Sequence, residues 1–194
     1  EKNTWPFVTK TDYDSLYSSI IDWPKISLVI PSFNQGEFID QTINSIVLQK
    51  YPNIEIIIID GGSRDNTVEV VNKFSDFVDV FISESDQGQS DAINKGWNLA
   101  NGEIFNWLNS DDYLSELSLY NIALAFIKSD KKSLLVGNVL NFDSTGNVKV
   151  ISQKNITFLN LLKFFSSIKL NTTPPLEALG ILISKYLIPS LILD

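Results

Sequence analysis

Short apolar runs alternate with amphipathic segments over the first two thirds of the chain. The runs at 26–30, 54–60, 78–83 and 104–108 predict four strands, and apolar residues at helical spacing after each run predict a helix. Four consecutive isoleucines at 56–59 indicate a strand buried on both faces, which is typical of parallel sheets. The pattern therefore predicts an α/β fold with a doubly wound, mostly parallel sheet.

Polar residues mark the predicted starts of two helices. Asn34, followed by Glu37, predicts the start of the helix after the first strand. Asp65 can cap the helix after the second strand, because a side-chain oxygen there can accept a hydrogen bond from a free backbone N–H.

The alternation ends near residue 132 and predicts three regions. Residues 1–25 carry Trp and Pro anchors among polar residues, and predict an extended arm that packs on the domain. Residues 26–132 form the α/β region. We interpret the very apolar end of residues 133–194 as the core of an incomplete second lobe. The elements predicted there are two strands and a helix, at 134–140, 148–152 and 158–165.

Composition and charge limit the ligands and catalytic groups that this chain can use. The formal net charge of −8 and the pI near 4.5 argue against a nucleic-acid surface, and a phosphate ligand would need a metal or oriented N–H groups. Because the chain has no Cys and no His, disulfides, thiol nucleophiles and His-dependent triads are excluded, and acid–base work falls to carboxylates, Lys or Tyr. No apolar stretch reaches about 18 residues, so we expect at most peripheral membrane association.

Polar segments follow all four predicted strands, and in a parallel sheet these ends meet at one edge. Asp111 and Asp112 follow the fourth strand and would splay to opposite sides. Their hard oxygens suit Mn²⁺ or Mg²⁺ bound together with phosphate oxygens. Taken alone, the pair could be a polar turn, but four polar segments on one edge favour a nucleotide diphosphate bound through a divalent metal. The four segments are 31–34, 60–63, 84–89 and 109–112.

The same segments resemble successive motifs of glycosyltransferase family 2, in order and spacing, over about residues 26–115. They read Val-Ile-Pro-Ser-Phe-Asn-Gln-Gly at 29–36, Ile-Asp-Gly-Gly-Ser at 59–63, Glu-Ser-Asp-Gln-Gly-Gln-Ser-Asp-Ala-Ile-Asn-Lys-Gly at 84–96 and Trp-Leu-Asn-Ser-Asp-Asp at 107–112. The resemblance implies the GT-A fold and an inverting transfer of a sugar from a nucleotide-diphosphate donor, with a UDP-sugar favoured. The acceptor would be a hydroxyl of a glycan or lipid-linked molecule, on the cytoplasmic side of a membrane, in surface polysaccharide or glycolipid synthesis.

The resemblance also implies roles for single residues. Phe33 would lie against the base, with a core aromatic as the alternative, and Asp60 would contact the base or ribose, with a turn-capping carboxylate as the alternative. Asp112 would be the direct metal ligand, and Asp111 would reach the ribose or stand behind the metal ligand. The donor-binding residues are expected to be Pro31, Phe33, Asn34, Asp60, Asp86, Gln89, Asp91, Asn109 and Asp111.

Several of these roles are open. Asp86, Gln89 and Asp91 would border the donor sugar or brace their loop, and helix capping by Ser90 or Asp91 is an equal alternative. Many family members have Asp where Asn109 stands, and a second Asp where Gly61 stands. Arg64, the single arginine, could reach a phosphate or be a solvated turn residue.

The general base is not identified. In the family it lies in the second lobe, and the corresponding segment at 172–176 lacks a matching motif. Glu177 and Asp194 are the late carboxylates that could serve. Because no recognisable base motif precedes residue 194, we expect the acceptor-side region, 133–194, to be truncated, and the absence of methionine, even at position 1, also suggests a fragment. The alternatives are a donor-binding but inactive fragment and, disfavoured, a nucleotidyltransferase, because residues 31–36 contain one Gly and no Lys or Arg.

Overall fold

The structure is a computed structural model, which describes residues 4–20, 22–129, 134–136, 139–142, 148–151 and 181–184. Helices and strands alternate along most of this part of the chain. The helices are α1 (Tyr13–Tyr17), α2 (Ile39–Val47), α3 (Thr67–Asn72), α4 (Gln89–Leu99) and α5 (Ser118–Lys128). The strands are β1 (Ile26–Ser32), β2 (Ile54–Asp60), β3 (Val80–Ser83), β4 (Ile104–Trp107), β5 (Leu134–Val136), β6 (Val139–Phe142), β7 (Val148–Ile151) and β8 (Ile181–Ser184).

The main sheet has the strand order β3-β2-β1-β4-β8-β5. The four strands predicted in the α/β region are confirmed, and they pair in parallel. Strand β8 is antiparallel to both β4 and β5, and β6 and β7 form a separate antiparallel pair. The order of the parallel strands reverses between β1 and β4, which is where open α/β sheets bind their ligands.

The isoleucine run in β2 is buried on both faces, as predicted. Ile56 and Ile58 pack in one core with α2 and α5, whereas Ile57 and Ile59 pack in a second core beneath α4. Successive strand residues point to opposite faces, so a doubly covered sheet needs apolar side chains at every position. The doubly wound arrangement is therefore confirmed.

The two predicted helix starts have different outcomes. Helix α2 begins at Ile39, five residues after Asn34, so that prediction is wrong. Asn34 has a left-handed φ of 53° and belongs to the turn that leaves β1. Before α3, Asn66 occupies the N-cap position, but Asp65 Oδ1 accepts a hydrogen bond from Thr67 N at 3.0 Å, so the predicted capping by Asp65 is confirmed.

The two ends of the chain differ in detail from the prediction. The N-terminal arm is not simply extended, because it contains α1, whose Tyr13 and Tyr17 are buried in the main core. The predicted strand at 134–140 is two strands, β5 in the main sheet and β6 in the antiparallel pair. The predicted helix at 158–165 lies outside the described residues. None of the helices in the described part is long and apolar enough to cross a membrane.

Candidate functional site

A cleft of about 940 Å³ lies at the carboxyl edge of the parallel strands. Its walls come from the segments that follow β1, β2, β3 and β4, so the predicted convergence of these four polar segments is observed. Three of the ten predicted donor- and metal-binding residues, Asp60, Asp91 and Asp112, do not line it. The seven that do are Pro31, Phe33, Asn34, Asp86, Gln89, Asn109 and Asp111.

The turn after β1 is locked to the turn after β2. Asn34 N donates to Ser63 Oγ at 2.7 Å, and Arg64 N donates to Asn34 Oδ1 at 2.9 Å. The neighbouring Phe33 side chain is 57% exposed and lines the cleft, which rules out the alternative that it is a core aromatic. An exposed aromatic face on a preformed turn is suited to stacking against a planar ligand.

Asp60 holds the turn after β2 and does not reach the cleft. Its side chain is fully buried. Its Oδ2 accepts hydrogen bonds from Gly62 N, Ser63 N and Ser83 Oγ at 3.1, 2.8 and 2.7 Å, and its Oδ1 accepts one from Ser63 Oγ at 2.5 Å. These four donors occupy both carboxylate oxygens, so the geometry favours the turn-capping alternative and does not support contact with base or ribose.

Asp86, in the loop before α4, and Asp91, in the first turn of α4, have different partners. Asp91 Oδ2 accepts from Gln87 N at 3.2 Å and pairs with Lys95 Nζ at 3.3 Å. The Gln87 hydrogen bond, opposed by desolvation and assisted by Lys95, lowers the pKa of Asp91. Asp91 therefore braces the loop, which is one of the alternatives expected from the sequence. Asp86 accepts from Gly88 N at 2.8 Å and faces the cleft.

A chain of side-chain hydrogen bonds joins the start of α4 to the acidic pair, Asp111 and Asp112. Gln89 Nε2 donates to Asn109 Oδ1 at 2.8 Å, and Asn109 Nδ2 donates to Asp112 Oδ2 at 3.0 Å. Asp111 is exposed and lines the cleft, whereas Asp112 is partly buried behind it. Burial, and secondarily the charge of Asp111, raise the pKa of Asp112, while the Asn109 hydrogen bond lowers it.

The described residues contain no group of three or more acidic, His or Cys side chains that could hold a metal by themselves. Asp111 and Asp112 supply hard oxygens, which Mn²⁺ and Mg²⁺ prefer. Mg²⁺ is usually bound by one or two carboxylates together with substrate phosphates. Asp111, which lines the cleft, could therefore bind a metal together with a phosphate and water, whereas Asp112, the predicted direct ligand, does not line the cleft and accepts a hydrogen bond from Asn109.

Polar residues of α2 and the turn after it hold the loop that carries the acidic pair. The Thr42 hydroxyl lies 2.9 Å from Ser110 O and 2.7 Å from Asp112 O. Further along, Leu114 N donates to Ser45 Oγ at 3.1 Å and Leu119 N donates to Gln49 Oε1 at 2.9 Å. Thr42, Ser45 and Gln49 are fully buried and were missed by the sequence reasoning. Their burial could have been predicted from the sequence, because the three polar residues fall at helical spacing on the face that also carries Ile39, Ile43 and Ile46.

The two candidate bases, Glu177 and Asp194, lie outside the described residues. The general base therefore stays unassigned.

A mostly parallel sheet with a polar, acidic cleft at its carboxyl edge defines an α/β domain built to bind a ligand at its strand ends. The comparisons with known proteins make the class specific. A model of the family described as Glycosyl transferase family 2 matches residues 27–179. The chain belongs to this family.

Two relatives illustrate the match. An uncharacterized glycosyltransferase of Haemophilus influenzae is 33% identical over 148 residues, which are 74% of this chain and 59% of the relative. A PGL/p-HBAD biosynthesis glycosyltransferase of Mycobacterium bovis is 33% identical over 121 residues, 60% of this chain and 47% of the relative. The chain thus spans about half the length of these two relatives.

Two solved structures are similar in fold. Staphylococcus aureus TarS 1–349 in complex with UDP-GlcNAc has a TM-score of 0.50 and 25% identity, over 54% of this chain and 31% of the 1–349 chain. The mannosyltransferase PcManGT of Pyrobaculum calidifontis, in complex with GDP-Man and Mn²⁺, has a TM-score of 0.51 and 19% identity, over 63% of this chain and 40% of that protein. Both are GT-A glycosyltransferases, and this chain has the same fold.

Proposed function

We propose that this chain is the donor-binding part of an inverting, metal-assisted glycosyltransferase. It would move a sugar from a nucleotide diphosphate, with UDP favoured, to a hydroxyl of a glycan or lipid-linked acceptor. The observation that carries the proposal is the cleft at the carboxyl edge of the sheet, which brings Asp111 to the same space as Phe33 and Asp86. Family membership and the UDP-GlcNAc bound to TarS support a nucleotide-sugar donor.

The cleft contains a buried polar atom that a ligand could satisfy. Ser32 is 5% exposed and lines the cleft, yet its hydroxyl has no hydrogen-bond partner among the described residues. A buried hydroxyl without a partner is costly, and such a group in a cleft is a candidate contact for a bound polar ligand. Gly88 and Gln89, at the amino end of the 11-residue helix α4, line the same cleft, and such ends favour anions.

The residues divide the work as follows. Phe33 would stack on the base, and Asp112, the metal ligand that the family resemblance implies, would hold Mn²⁺ or Mg²⁺ with the phosphates, with Asp111 beside it at the wall of the cleft. The metal, when bound, supplies positive charge that stabilises the departing diphosphate in an acidic protein. The Gln89–Asn109–Asp112 chain of hydrogen bonds keeps the acidic pair oriented. We place the enzyme at the cytoplasmic face of a membrane, in surface polysaccharide or glycolipid synthesis.

A thermal-shift experiment on the 194-residue chain tests donor binding. We expect UDP with Mn²⁺ at about 100 times its Kd to stabilise the fold by about 2.7 kcal/mol, which corresponds to a rise in Tm of about 5–10 °C. Asp112→Ala should abolish the metal-dependent part of the rise. Asp76→Ala is the matched control, because it removes an exposed carboxylate on the segment between α3 and β3.

Absence of a shift with UDP, GDP and dTDP, each with Mn²⁺ or Mg²⁺, would contradict the proposal. Release of nucleotide from a UDP-sugar distinguishes an active transferase from a fragment that binds its donor without turnover.

A further inference from the structure

The N-terminal arm contacts the segment that follows the acidic pair. Trp5 Nε1 donates a hydrogen bond to Leu114 O at 2.7 Å. Glu116 Oε1 accepts hydrogen bonds from the hydroxyls of Thr9 and Thr11, the second at 3.3 Å. The arm thus reaches across the sequence to the loop that carries the acidic pair, and holds that loop close to where α5 begins.

The hydrogen bond from Trp5 completes the support of a backbone that α2 holds from the other side. Leu114 N donates to Ser45 Oγ at 3.1 Å, and Leu114 O accepts from Trp5. Two residues earlier, Asp112 O accepts from the Thr42 hydroxyl at 2.7 Å. Because side chains of two separate elements fix both backbone polar groups of Leu114, the loop is held between α2 and the arm.

The arm also stabilises an unfavourable backbone conformation at the end of this loop. Leu117 has a left-handed φ of 64°, which is disfavoured for a residue with a side chain. Its N–H donates to the Tyr13 hydroxyl at 3.2 Å, and Tyr13 is buried in the main core. Such conformations persist where the surrounding structure determines them, so the arm sets the path of the chain into α5.

The arm can act as a fixed support because it is anchored in the core independently of the loop. The ring of Tyr17 packs edge-on against the rings of Trp23 and Tyr51, with centroids 5.2 and 5.5 Å apart. Trp23 Nε1 donates to Tyr17 O at 2.9 Å within the core. The position of the arm therefore does not depend on its contacts with the loop.

The acidic pair needs such support because it lies on a long connection. Strand β4 ends at Trp107 and α5 begins at Ser118, so neither element directly holds the carboxylates between them. A binding site works best when its groups are held within about 0.5 Å of the productive geometry. Contacts from outside the loop must supply that precision.

We infer that Trp5 is a positioning residue for the proposed metal site. Its indole N–H, together with the other contacts of the arm, holds the loop so that the acidic pair faces a metal-bound nucleotide diphosphate. Trp5 does not line the cleft, so it acts through the backbone of Leu114. The inference rests on the proposed function and goes beyond it by assigning a role in donor binding to a segment outside the α/β region.

The experiment measures the Kd of UDP with Mn²⁺ by titration calorimetry on the 194-residue chain. Trp5→Phe keeps an aromatic ring and removes the donor to Leu114 O. We expect the Kd to rise about three- to tenfold, since a hydrogen bond of this kind contributes about that factor. With EDTA in place of Mn²⁺, wild type and variant should bind UDP equally, because the arm acts through the metal ligands.

Trp23→Phe is the matched control within the arm. It also removes an indole donor from a backbone carbonyl, but that carbonyl belongs to Tyr17 in the core and not to the loop. Because Trp23 is 5% exposed, we expect its replacement to lower Tm at least as much as Trp5→Phe does. The Kd of UDP with Mn²⁺ should stay at the wild-type value at temperatures where the variant is folded.

Glu116 offers a second pair of variants that should keep the fold, because its side chain is exposed. Glu116→Ala removes the acceptor of Thr9 and Thr11, and we expect the Kd of UDP with Mn²⁺ to rise about twofold. Glu116→Gln retains an oxygen for both hydroxyls and should restore the wild-type Kd, which separates the contact from the charge.

The outcomes are distinguishable. A wild-type Kd in Trp5→Phe, an equal rise in both Trp variants, or a rise that persists in EDTA would overturn the positioning role and leave the proposed function standing. If Trp5→Phe does not fold, equal Kd values in the two Glu116 variants would overturn it. A wild-type chain that binds no nucleotide with metal would overturn both the inference and the proposed function.

Discussion

The two edges of the parallel sheet both hold buried or partly buried acidic groups, but these groups differ in how many of their hydrogen-bond partners the protein supplies. At the amino edge, Glu55 is 6% exposed and accepts hydrogen bonds from Lys25 Nζ at 2.7 Å, Ser27 Oγ at 2.5 Å and Asn101 N at 2.8 Å. At the carboxyl edge, Asp86 Oδ2 and the Ser32 hydroxyl have no partners among the described residues.

This difference indicates that the amino edge contributes to stability and the carboxyl edge to ligand binding. The saturated Glu55 network ties the starts of β1 and β2 to the segment before β4, so its polar groups are fully used within the fold. The carboxyl edge leaves acceptors and donors unpaired, which costs stability unless a ligand supplies the partners. We therefore expect changes at Glu55 to alter the free energy of unfolding, and changes at the cleft to alter binding.

Replacement of Glu55 by Ala should have the largest effect on stability. It removes the acceptor of Lys25, Ser27 and Asn101, and because Lys25 stays partly exposed to water, we expect the lost hydrogen bonds to cost about 2–3 kcal/mol. Urea unfolding at pH 7 measures this change. Affinity for UDP with Mg²⁺ should stay unchanged under conditions in which the variant is folded.

Glu69→Ala is the matched control for Glu55→Ala. Glu69 is exposed and pairs with Lys73 at 3.2 Å, so its loss should change stability by about 0.5 kcal/mol or less. Equal effects of the two variants would contradict the special role of the amino edge.

Acid should weaken the same network. Burial would raise the pKa of Glu55, but hydrogen bonds from Lys25, Ser27 and Asn101 outweigh it and lower the pKa from 4.5 to about 2. Because the folded-state pKa lies below the unfolded value, the contribution is complete above about pH 4.5 and is lost as the pH falls towards 2. Between pH 6 and pH 3 this carboxylate should account for a loss of roughly 2 kcal/mol.

The measurement is urea unfolding of wild type and Glu55→Gln at both pH values. The wild type should lose more stability than the variant, since the amide does not titrate. Identical pH dependence in the two proteins would show that Glu55 is not the titrating group.

Thr42→Val should have a smaller effect on stability but, unlike Glu55→Ala, should also reach the cleft. It leaves the carbonyls of Ser110 and Asp112 without their donor, which we expect to cost about 1.5 kcal/mol. The loop that carries the acidic pair would then be less well held, so UDP should bind more weakly with Mg²⁺ present. Thr42→Ser keeps the hydroxyl and should restore both properties. Lower stability with unchanged UDP affinity would show that Thr42 does not support UDP binding.

Much of the site could be predicted because its residues follow strands. Continuous apolar runs identified β1, β2 and β4, and the polar residues directly after them had to meet at one edge of a parallel sheet. The family resemblance, confirmed by the family match over residues 27–179, supplied roles for those positions. Contacts made across the sequence could not be predicted in this way. Thr42 and Ser110 are 68 residues apart, and their hydrogen bond depends on how α2 packs on the sheet.

The apolar periodicity of this chain determined the α/β architecture and the edge at which its polar residues gather. A parallel sheet that is buried on both faces requires continuous apolar runs, and such runs are visible in the sequence without knowledge of tertiary contacts. Tertiary structure alone decided which carboxylates are available. Asp60 and Asp86 look alike in the sequence, each being an aspartate beside a glycine-containing turn, yet one is saturated by four donors and the other keeps an open oxygen. Whether a carboxylate is satisfied depends on donors brought from distant segments, such as Ser83 for Asp60, and on the missing side chain of Gly61 that gives Asp86 its place.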